Sequence, residues 1–376
     1  MIRNITPEKA IAFTRLSVAL NAYWPPSPTA TRIQVLRFKV YRFIAMLSVG
    51  MQLFPLSYSI YVNIKVDTFT VTKVTCFTSA VVHIFGQSIL SYIHYDRIQA
   101  IIAQMTDFCA KAKSQERSVL QRYVDKYSTF YMVAVFWFYM TSVLFVLGTL
   151  LLDQPFPTDA AYPFDVDYEP LRTIIFLHQS YVCMQNSAMT SSNAYVALLV
   201  LFAAARLETL MLELRDVHDC EALIRCIKKY YSVKRYAQEV VDVTRCTALL
   251  TVILTSIPLV LCGVNIISKQ PVMIKVQFIF MAGTAFLEVF MCVWPADVML
   301  DVSSNAIQKV YESTWYAQIA KMQKMVLLAL LPQKPLTISL GCIVPVLSLN
   351  FYCSYVSNAF SIFTVLRLVL NEHAES

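Results

Sequence analysis

The sequence contains little glycine and little charge. Six of its 376 residues are glycine, and Asp, Glu, Lys and Arg together make up 15%. Phosphate-binding loops are built on closely spaced glycines, so this scarcity argues against a nucleotide site, and the patterns GxxxxGK, HExxH and GxSxG do not occur either. We therefore predict that the protein is not an enzyme, with no catalytic residues and no cofactor.

The ten cysteines do not form a metal-binding pattern. No C-x-x-C pair occurs, and the nearest approach to a cluster, Cys220 and Cys226 close to His218, has a spacing that matches no usual zinc site. Most of the others lie in apolar segments, where a buried thiol is the ordinary state. We predict no bound metal.

Apolar residues dominate what is present. They make up 57% of the chain, and the mean hydropathy is +0.55. Soluble domains have roughly 45–50% apolar and about 25% charged residues, so this composition is typical of a membrane protein. The first segment, Met1–Ala30, is polar and contains four prolines but no apolar core of a signal peptide, which predicts that the N-terminus is retained.

Seven segments meet the requirement of about 20 predominantly apolar residues for a membrane span. They lie near Phe38–Val62, Phe69–Tyr92, Phe130–Leu152, Leu171–Ala204, Thr247–Ile267, Val272–Trp294 and Leu336–Leu366. The fourth is long and unusually polar, which predicts that it faces a cavity or partner helices rather than lipid. The fold class is thus an all-α membrane protein with seven transmembrane helices and no separate soluble domain.

Basic residues cluster on one side of the predicted membrane. They are concentrated in the N-terminal arm and in the stretches 97–126, 206–245 and 309–334, and few lie on the opposite side: Lys65, Lys73, Arg172, Lys269, Lys275 and Arg367. By the positive-inside rule, the N-terminus is predicted to be cytoplasmic and the C-terminus extracellular. The membrane surface explains the basic flanks, so we expect lipid contact and no nucleic-acid partner.

The stretches between the spans differ on the two sides of the predicted membrane: those on the cytoplasmic side have a helical pattern, and one outer loop is acidic. Arg206–Asp242 and Ala306–Leu331 have helical spacing, which predicts extensions that pack against each other or against another subunit. The outer loop Asp153–Pro170 has five acidic residues and no Lys or Arg. It is interpreted as a solvated loop or, alternatively, as a cation-attracting vestibule or a lid over a site.

Small and hydroxylated residues distinguish the last apolar segment, Lys334–Arg367. Lipid-facing surfaces favour Leu, Ile and Phe, whereas helices that pack closely or line water favour Ser, Thr and Gly. The segment carries Ser339, Gly341, Ser348, Ser354, Ser357, Ser361 and Thr364. A packed helix and a pore-lining helix both fit this pattern.

Ionisable residues inside predicted spans are functional candidates by default. They are His83, His178 and Glu288, and nothing in the sequence places them together. Glu288 is equally well explained by a bond to a neighbouring helix.

Three runs near the C-terminus carry a recognisable signature: Gln308–Tyr316, Gln333–Leu336 and Ser361–Arg367. With the outer-loop sequence Tyr162–Asp165, the length, the seven spans and the inverted topology, the whole chain resembles the insect odorant receptors. One departure is Ile362, where that family often has an aromatic residue. The terminal motif of the related gustatory receptors is missing.

The resemblance implies an odorant-gated, non-selective cation channel in the plasma membrane of an olfactory sensory neuron dendrite. Four subunits surround a pore lined by the seventh helix, and odorant-specific subunits assemble with the odorant receptor co-receptor. Residues 1–305 would form six spans with the ligand-binding bundle, and 306–376 an anchor helix and the pore helix. The implied pore and gate residues, for which ordinary interhelical packing stays open, are Ser361, Thr364, Val365, Leu366, Leu368 and Val369.

The odorant site is expected among aromatic, Met and polar residues in the outer halves of the spans, since small volatiles need apolar walls with few polar groups. The candidates are Phe77, Val81, His83, Ile84, Tyr139, Met140, Val143, Leu144, His178, Tyr181, Met184, Gln185, Phe278, Met281 and Phe286. We expect the ligand to repack these helices and so move the seventh helix outward.

Two other functions fit the sequence less well. A G-protein-coupled-type chemoreceptor requires an extracellular N-terminus and usually a disulfide to the loop after the third span, but Asp153–Pro170 contains no Cys. A transporter would show internal repeats around a midplane site, and none is visible. A homomeric channel that works without the co-receptor stays open.

Overall fold

Helices form the fold throughout the part of the chain that is described. The computed structural model describes residues 5–151, 154–215, 217, 219–268, 270–305, 311, 320, 323–324, 334–341 and 344–375, and the side chains of all of these except 150–151, 215 and 366–375. No strand occurs in these ranges. The helices are α1 Pro7–Ser17, α2 Arg32–Asn63, α3 Thr68–Ile93, α4 Tyr95–Lys111, α5 Ser114–Leu151, α6 Leu171–Thr190, α7 Ser192–Arg215, α8 Cys220–Ile267, α9 Val272–Ser304 and α10 Leu349–Glu375.

Within the described residues, six helical segments are long and apolar enough to cross a membrane. They coincide with the first six predicted spans: Arg32–Asn63, Thr68–Ile93, Ser114–Thr149, Leu171–Leu214, Cys220–Ile267 and Val272–Ser304. The prediction of a multi-pass, all-α architecture is thereby confirmed.

The predicted start of the seventh span is wrong, because α10 begins at Leu349 rather than Leu336. Leu336–Leu340 is extended and folds back through hydrogen bonds from Leu340 N to Val344 O (2.9 Å) and from Leu347 N to Ile338 O (2.8 Å). Gly341 permits the reversal with φ +73°. The segment is apolar because it is buried in the bundle, not because it spans lipid.

The fourth predicted span is broken at Ser191, between α6 and α7. The Ser191 hydroxyl donates to Ser187 O at 2.7 Å, a local bond that competes with the helical ladder. The polar residues at the break are buried: Ser191 is 0% and Asn193 1% exposed. The prediction that this polar span meets protein rather than lipid is confirmed.

Long extensions continue two of the spanning helices. α7 runs to Arg215, and α8 begins at Cys220, where the Asp219 carboxylate accepts from Ala222 N at 2.6 Å as an N-cap. Lys229 Nζ lies 2.6 Å from Glu213 Oε1, joining the two extensions. This bears out the helical prediction for Arg206–Asp242, whereas Ala306–Leu331 lies almost entirely outside the described residues.

The packing order places α7 at the centre of the bundle. It contacts α5, α8 and α9, while α3 packs between α2 and α8. The last helix, α10, packs against α8 and α9. We call the end of the bundle that carries residues 154–170 the loop end.

Candidate ligand cavity and pore helix

A cavity of about 90 Å³ lies between α2, α3, α5, α6, α8 and α9, and Thr158 of the loop end is among its lining residues. Its walls are mainly apolar, with a few polar side chains that converge on the space, which is the usual composition of a small-molecule site. The lining residues include Gln52, Phe77, Val81, His83, Ile84, Thr141, Ser142, Phe145, Thr158, Gln179, Val182, Cys183, Asn186, Met189, Thr255, Met281, Thr284 and Glu288.

Five of the fifteen predicted ligand residues line this cavity: Phe77, Val81, His83, Ile84 and Met281. The four predicted residues of α3 thus share one face of that helix, the face that lines this cavity. In the described part of the chain, the other ten lie outside the cavity.

In α5 and α6 the cavity faces the neighbouring helical positions. Thr141, Ser142 and Phe145 line it instead of Tyr139, Met140, Val143 and Leu144, and Gln179, Val182 and Asn186 instead of His178, Tyr181, Met184 and Gln185. A step of one residue turns the side chain by about 100° around a helix. The sequence does not distinguish the two faces, because His178 and Gln185 are polar and seven residues apart just as Gln179 and Asn186 are.

Several predicted residues instead bind neighbouring helices. Tyr139 Oη donates to Ser17 O (2.8 Å), Gln185 Nε2 donates to Ala45 O (3.1 Å), His178 Nε2 lies 3.0 Å from Ser48 O, and the Tyr181 and Tyr41 hydroxyls are 3.4 Å apart. Phe278 is fully buried beside Cys76 and Cys262. Phe286 faces α10, and Met140, Val143, Leu144 and Met184 are half-buried or exposed.

A polar network joins lining residues of the cavity to the loop end. Gln179 Oε1 accepts from Thr158 N (3.1 Å) and Thr158 Oγ1 (2.7 Å), and Gln179 Nε2 donates to the Tyr162 hydroxyl (3.1 Å). Gln52 Nε2 in turn donates to Thr158 Oγ1 at 3.2 Å. Burial raises the pKa of Tyr162, and its hydrogen bond with Gln179 lowers it by a smaller amount. Of the alternatives for the outer loop, this geometry favours the lid.

The loop is also held by an ion pair. Lys73 Nζ, on a side chain that is 1% exposed, lies 2.7 Å from Asp159 Oδ2, on one that is 25% exposed. The contact is an ion pair by distance, because its angles fall outside hydrogen-bond geometry.

Asp67 caps α3 by accepting from Phe69 N at 3.0 Å. A hydrogen bond from the Thr70 hydroxyl is the main cause that lowers the pKa of the Asp67 carboxyl.

The structure brings His83 and Glu288 together at the side of the cavity, with Nδ1 and Oε2 3.8 Å apart. Thr251 Oγ1 donates to Asn193 Oδ1 (3.3 Å) and lies 3.4 Å from His83 Nε2. Thr251 thus contacts both Asn193 and His83, and the donor and acceptor roles at the imidazole follow from its tautomer. The third intramembrane candidate, His178, lies apart on the α2 side. Among the described residues, no three His, Cys, Asp or Glu side chains are grouped to hold a metal.

One face of α10 carries hydroxyl groups and points away from the bundle. Ser354, Ser357, Ser361 and Thr364 are exposed, at intervals of three and four residues. Ser361 Oγ donates to Ser357 O (2.9 Å) and Thr364 Oγ1 to Phe360 O (2.9 Å), so their oxygen lone pairs remain for other donors. Of the predicted gate residues, Val365 is 59% exposed. The side chains of Leu366, Leu368 and Val369 lie outside the described residues.

The opposite face of α10 contacts the helices that form the cavity. The Tyr355 hydroxyl lies 3.3 Å from Oγ1 of Thr255, a cavity residue on α8. The Phe360 ring stacks on Phe286 of α9 with centroids 6.2 Å apart. A Cβ at Gly263 would come within 2.5 Å of Phe363 Cδ2, so the Phe363 ring packs directly on the α8 backbone.

The family profile described as "7tm Odorant receptor" matches residues 67–360. This chain belongs to the odorant receptor family. The family consists of ligand-binding receptors rather than enzymes, which confirms both the resemblance and the non-enzymatic prediction. Among curated protein sequences, none matches this receptor.

Solved insect structures share the receptor's fold. The olfactory receptor OR5 from Machilis hrabei in complex with eugenol superposes with a TM-score of 0.80 at 16% identity, covering 96% of this chain and 98% of that one. A second structure of the same receptor superposes with a TM-score of 0.81 at 14% identity, covering 96% of this chain and 97% of that one. At such identities the likeness establishes the fold alone.

Proposed function

We propose that this receptor is an odorant-binding subunit of a ligand-gated, non-selective cation channel, assembled as a heteromeric tetramer with the odorant receptor co-receptor. It would lie in the plasma membrane of an olfactory neuron dendrite, with a cytoplasmic N-terminus and an extracellular C-terminus. In this proposal α10 is the seventh span, and residues 306–376 form the anchor and pore unit beside the ligand-binding residues 1–305.

The observation that carries the proposal is the hydroxyl face of α10. A helix of 27 residues is about 40 Å long, sufficient to cross a bilayer. If its free face met lipid, four exposed hydroxyl-bearing residues would be placed in hydrocarbon, which is unfavourable, whereas water in a pore hydrates them. The half-buried face carries Tyr352, Tyr355, Ala359 and Phe363 and packs on the receptor's own helices.

The mechanism follows from the contacts between the cavity and α10. A ligand that fills the cavity displaces α8 and α9, and the contacts at Thr255–Tyr355 and Phe286–Phe360 transmit that displacement to α10. Outward movement of α10 would open an apolar constriction at Val365, Leu368 and Val369, which in the closed state excludes water. The ligand shifts this equilibrium only by binding the open arrangement more tightly than the closed one.

Whole-cell recording tests the channel and its partner. Cells would express the receptor alone, the co-receptor alone, or both, and receive a panel of small volatiles. We expect volatile-evoked currents that require both subunits and persist without added nucleotide. A response abolished by G-protein blockade would instead indicate the G-protein-coupled type of chemoreceptor, and a current from the receptor alone would indicate a homomeric channel.

Cysteine accessibility tests the pore assignment of α10. Since Cys353 is native and exposed, the scan starts from Cys353→Ser. We expect a charged thiol reagent to block the evoked current at Ser361→Cys. Ala359→Cys, on the half-buried face, serves as the matched control and should be unaffected. Equal modification at both positions would contradict the assigned face.

A further inference from the structure

Unpaired hydrogen-bond acceptors converge on the ligand cavity. Gln52 Oε1, Asn186 Oδ1 and Glu288 Oε2 are buried atoms of lining residues, and none accepts a hydrogen bond from a described donor. His83 Nδ1 lies 3.8 Å from Glu288 Oε2, beyond hydrogen-bonding distance. Gln52 is 0% and Glu288 4% exposed, so bulk water does not solvate these two side chains. Buried polar atoms are normally paired, and each exception calls for a reason.

The hydroxyl donors of the cavity are already used. Lining Ser and Thr hydroxyls donate to backbone carbonyls: Thr141 to Trp137 O (2.9 Å), Ser142 to Cys183 O (2.6 Å), Thr255 to Thr251 O (2.7 Å) and Thr284 to Phe280 O (3.0 Å). A ligand that only accepts hydrogen bonds therefore meets few available donors among these residues. A ligand that donates meets three acceptors.

The network at the loop end fixes which Gln52 atom is unpaired. The backbone N–H of Thr158 can only donate, so the atom of Gln179 that it contacts is the oxygen. Thr158 Oγ1 gives its proton to that same oxygen and hence can only accept from Gln52. Gln52 must therefore present its nitrogen to Thr158, which leaves its carbonyl oxygen as the unpaired atom.

We infer that this cavity selects volatiles bearing a hydroxyl group, namely small alcohols or phenols, which donate a hydrogen bond to Glu288, Gln52 or Asn186. The inference rests on the proposed function, in which this cavity is the odorant site. A hydroxyl both donates and accepts, so it pairs with the Glu288 carboxyl in either protonation state. A methyl ether of the same skeleton keeps the acceptor but loses the donor, and leaves the Gln52 and Asn186 oxygens unpaired.

The volume of the cavity indicates that most volatile ligands need a side chain to move before they fit. A cavity of about 150 Å³ holds benzene, and this one is about 90 Å³. Ligands larger than roughly four heavy atoms must displace a lining side chain, for which the flexible thioethers of Met189 and Met281 are suited.

The test compares matched ligands on the receptor co-expressed with its co-receptor. Primary alcohols of four to eight carbons, their methyl ethers and the parent alkanes would be ranked by the concentration for half-maximal current. We expect alcohols to be at least about tenfold more potent than their ethers, since a site that hydrogen-bonds a hydroxyl rejects the analogue lacking it. Glu288→Leu or Gln52→Leu should reduce that ratio toward one, while Glu288→Gln, which retains an acceptor, should preserve most of it.

Gln277→Leu is the matched control. Gln277 is 2% exposed and also has an unpaired Oε1, but it lies outside the cavity lining. The alcohol-to-ether ratio should be unchanged in this variant, and a similar loss there would overturn the inference.

A second readout separates the inference from the proposed function. The melting temperature of the purified receptor would be measured with each alcohol and its ether. Stabilisation by the alcohol but not by the ether, without any evoked current, would support the inference and overturn the channel proposal. Equal potency and equal stabilisation by both ligands would overturn the inference and leave the channel proposal intact.

Discussion

Tyr355 on α10 and Thr255 on α8 are joined through their hydroxyls, 3.3 Å apart, and Thr255 also lines the ligand cavity. A single residue thus separates the cavity from the helix proposed to line the pore. Two further packing contacts, Phe286–Phe360 and Gly263–Phe363, also join α10 to α9 and α8. These contacts define where gating should respond to substitution.

Removing the Tyr355 hydroxyl should favour channel opening. The bond stabilises the arrangement in which α10 packs on α8, and a net contribution of about 0.5–1.5 kcal/mol corresponds to a two- to tenfold change in an equilibrium. We expect Tyr355→Phe to raise the basal current and to lower the half-maximal ligand concentration by a similar factor. Dose–response recording checks this. Unchanged gating at normal surface expression would show that the bond carries no coupling.

Adding a methyl group at Gly263 should displace α10. The new Cβ would lie 2.5 Å from Phe363 Cδ2, closer than carbon atoms pack. We expect Gly263→Ala to alter basal current and ligand sensitivity, and Phe363→Leu to restore them in the double variant. The control is Gly50→Ala in α2, which meets nothing within 4 Å. That substitution should leave gating unchanged while gaining up to about 1 kcal/mol of helix stability.

Neutralising Asp159 should destabilise the receptor. It would leave the buried Lys73 ammonium without its carboxylate, and breaking a buried pair on one side costs roughly 3–5 kcal/mol. We expect the destabilisation by Asp159→Asn to lie near the lower end of this range, since the Asp159 side chain is 25% exposed. Thermal unfolding of the purified receptor would measure the loss. The exposed Asp167→Asn should be neutral, and Lys73→Met with Asp159→Leu should recover most of the stability.

The Asp67 cap predicts a pH-dependent term in stability. Hydrogen bonding from Thr70 lowers the pKa of this carboxyl in the folded state. Its contribution is therefore fully present above the unfolded pKa of about 3.9 and is lost as the pH falls through the folded pKa. Asp67→Ala should cost about 1 kcal/mol at neutral pH, and this difference from wild type should vanish in acid. Asp67→Asn, an equally good cap, should lack the acid dependence.

The spans were predictable because hydrocarbon imposes a length and a composition that short sequence windows reveal. The start of α10 was not, because Leu336–Leu340 is as apolar as a span but is buried in the bundle by tertiary contacts. Burial in protein and burial in lipid select the same residues. The turn at Gly341, with φ +73°, distinguishes the two, but neither Gly341 nor Pro345 specifies an interruption from sequence, because both residue types also occur within membrane helices.

The cavity residues were predictable where one helix face differs from the other. In α3 the predicted Phe77, Val81 and His83 lie on the face that lines the cavity. In α5 and α6 residue type selected Tyr139 and Tyr181, whose hydroxyls contact neighbouring helices instead. The pairing of His83 with Glu288 joins residues 205 positions apart and depends on how α3 and α9 pack.

The hydrogen bonds of Thr158 have a kinetic consequence under the proposed function. For a volatile that enters at the loop end, Thr158 closes the way to Gln52 and Glu288 until its hydrogen bonds with Gln179 and Gln52 open. When entry waits on such a fluctuation, association falls below the rate set by encounter. The same closure delays departure of the bound ligand. The proposed channel would therefore respond to the odorant concentration averaged over the time that the lid stays closed. Faster changes in concentration would not appear in the current.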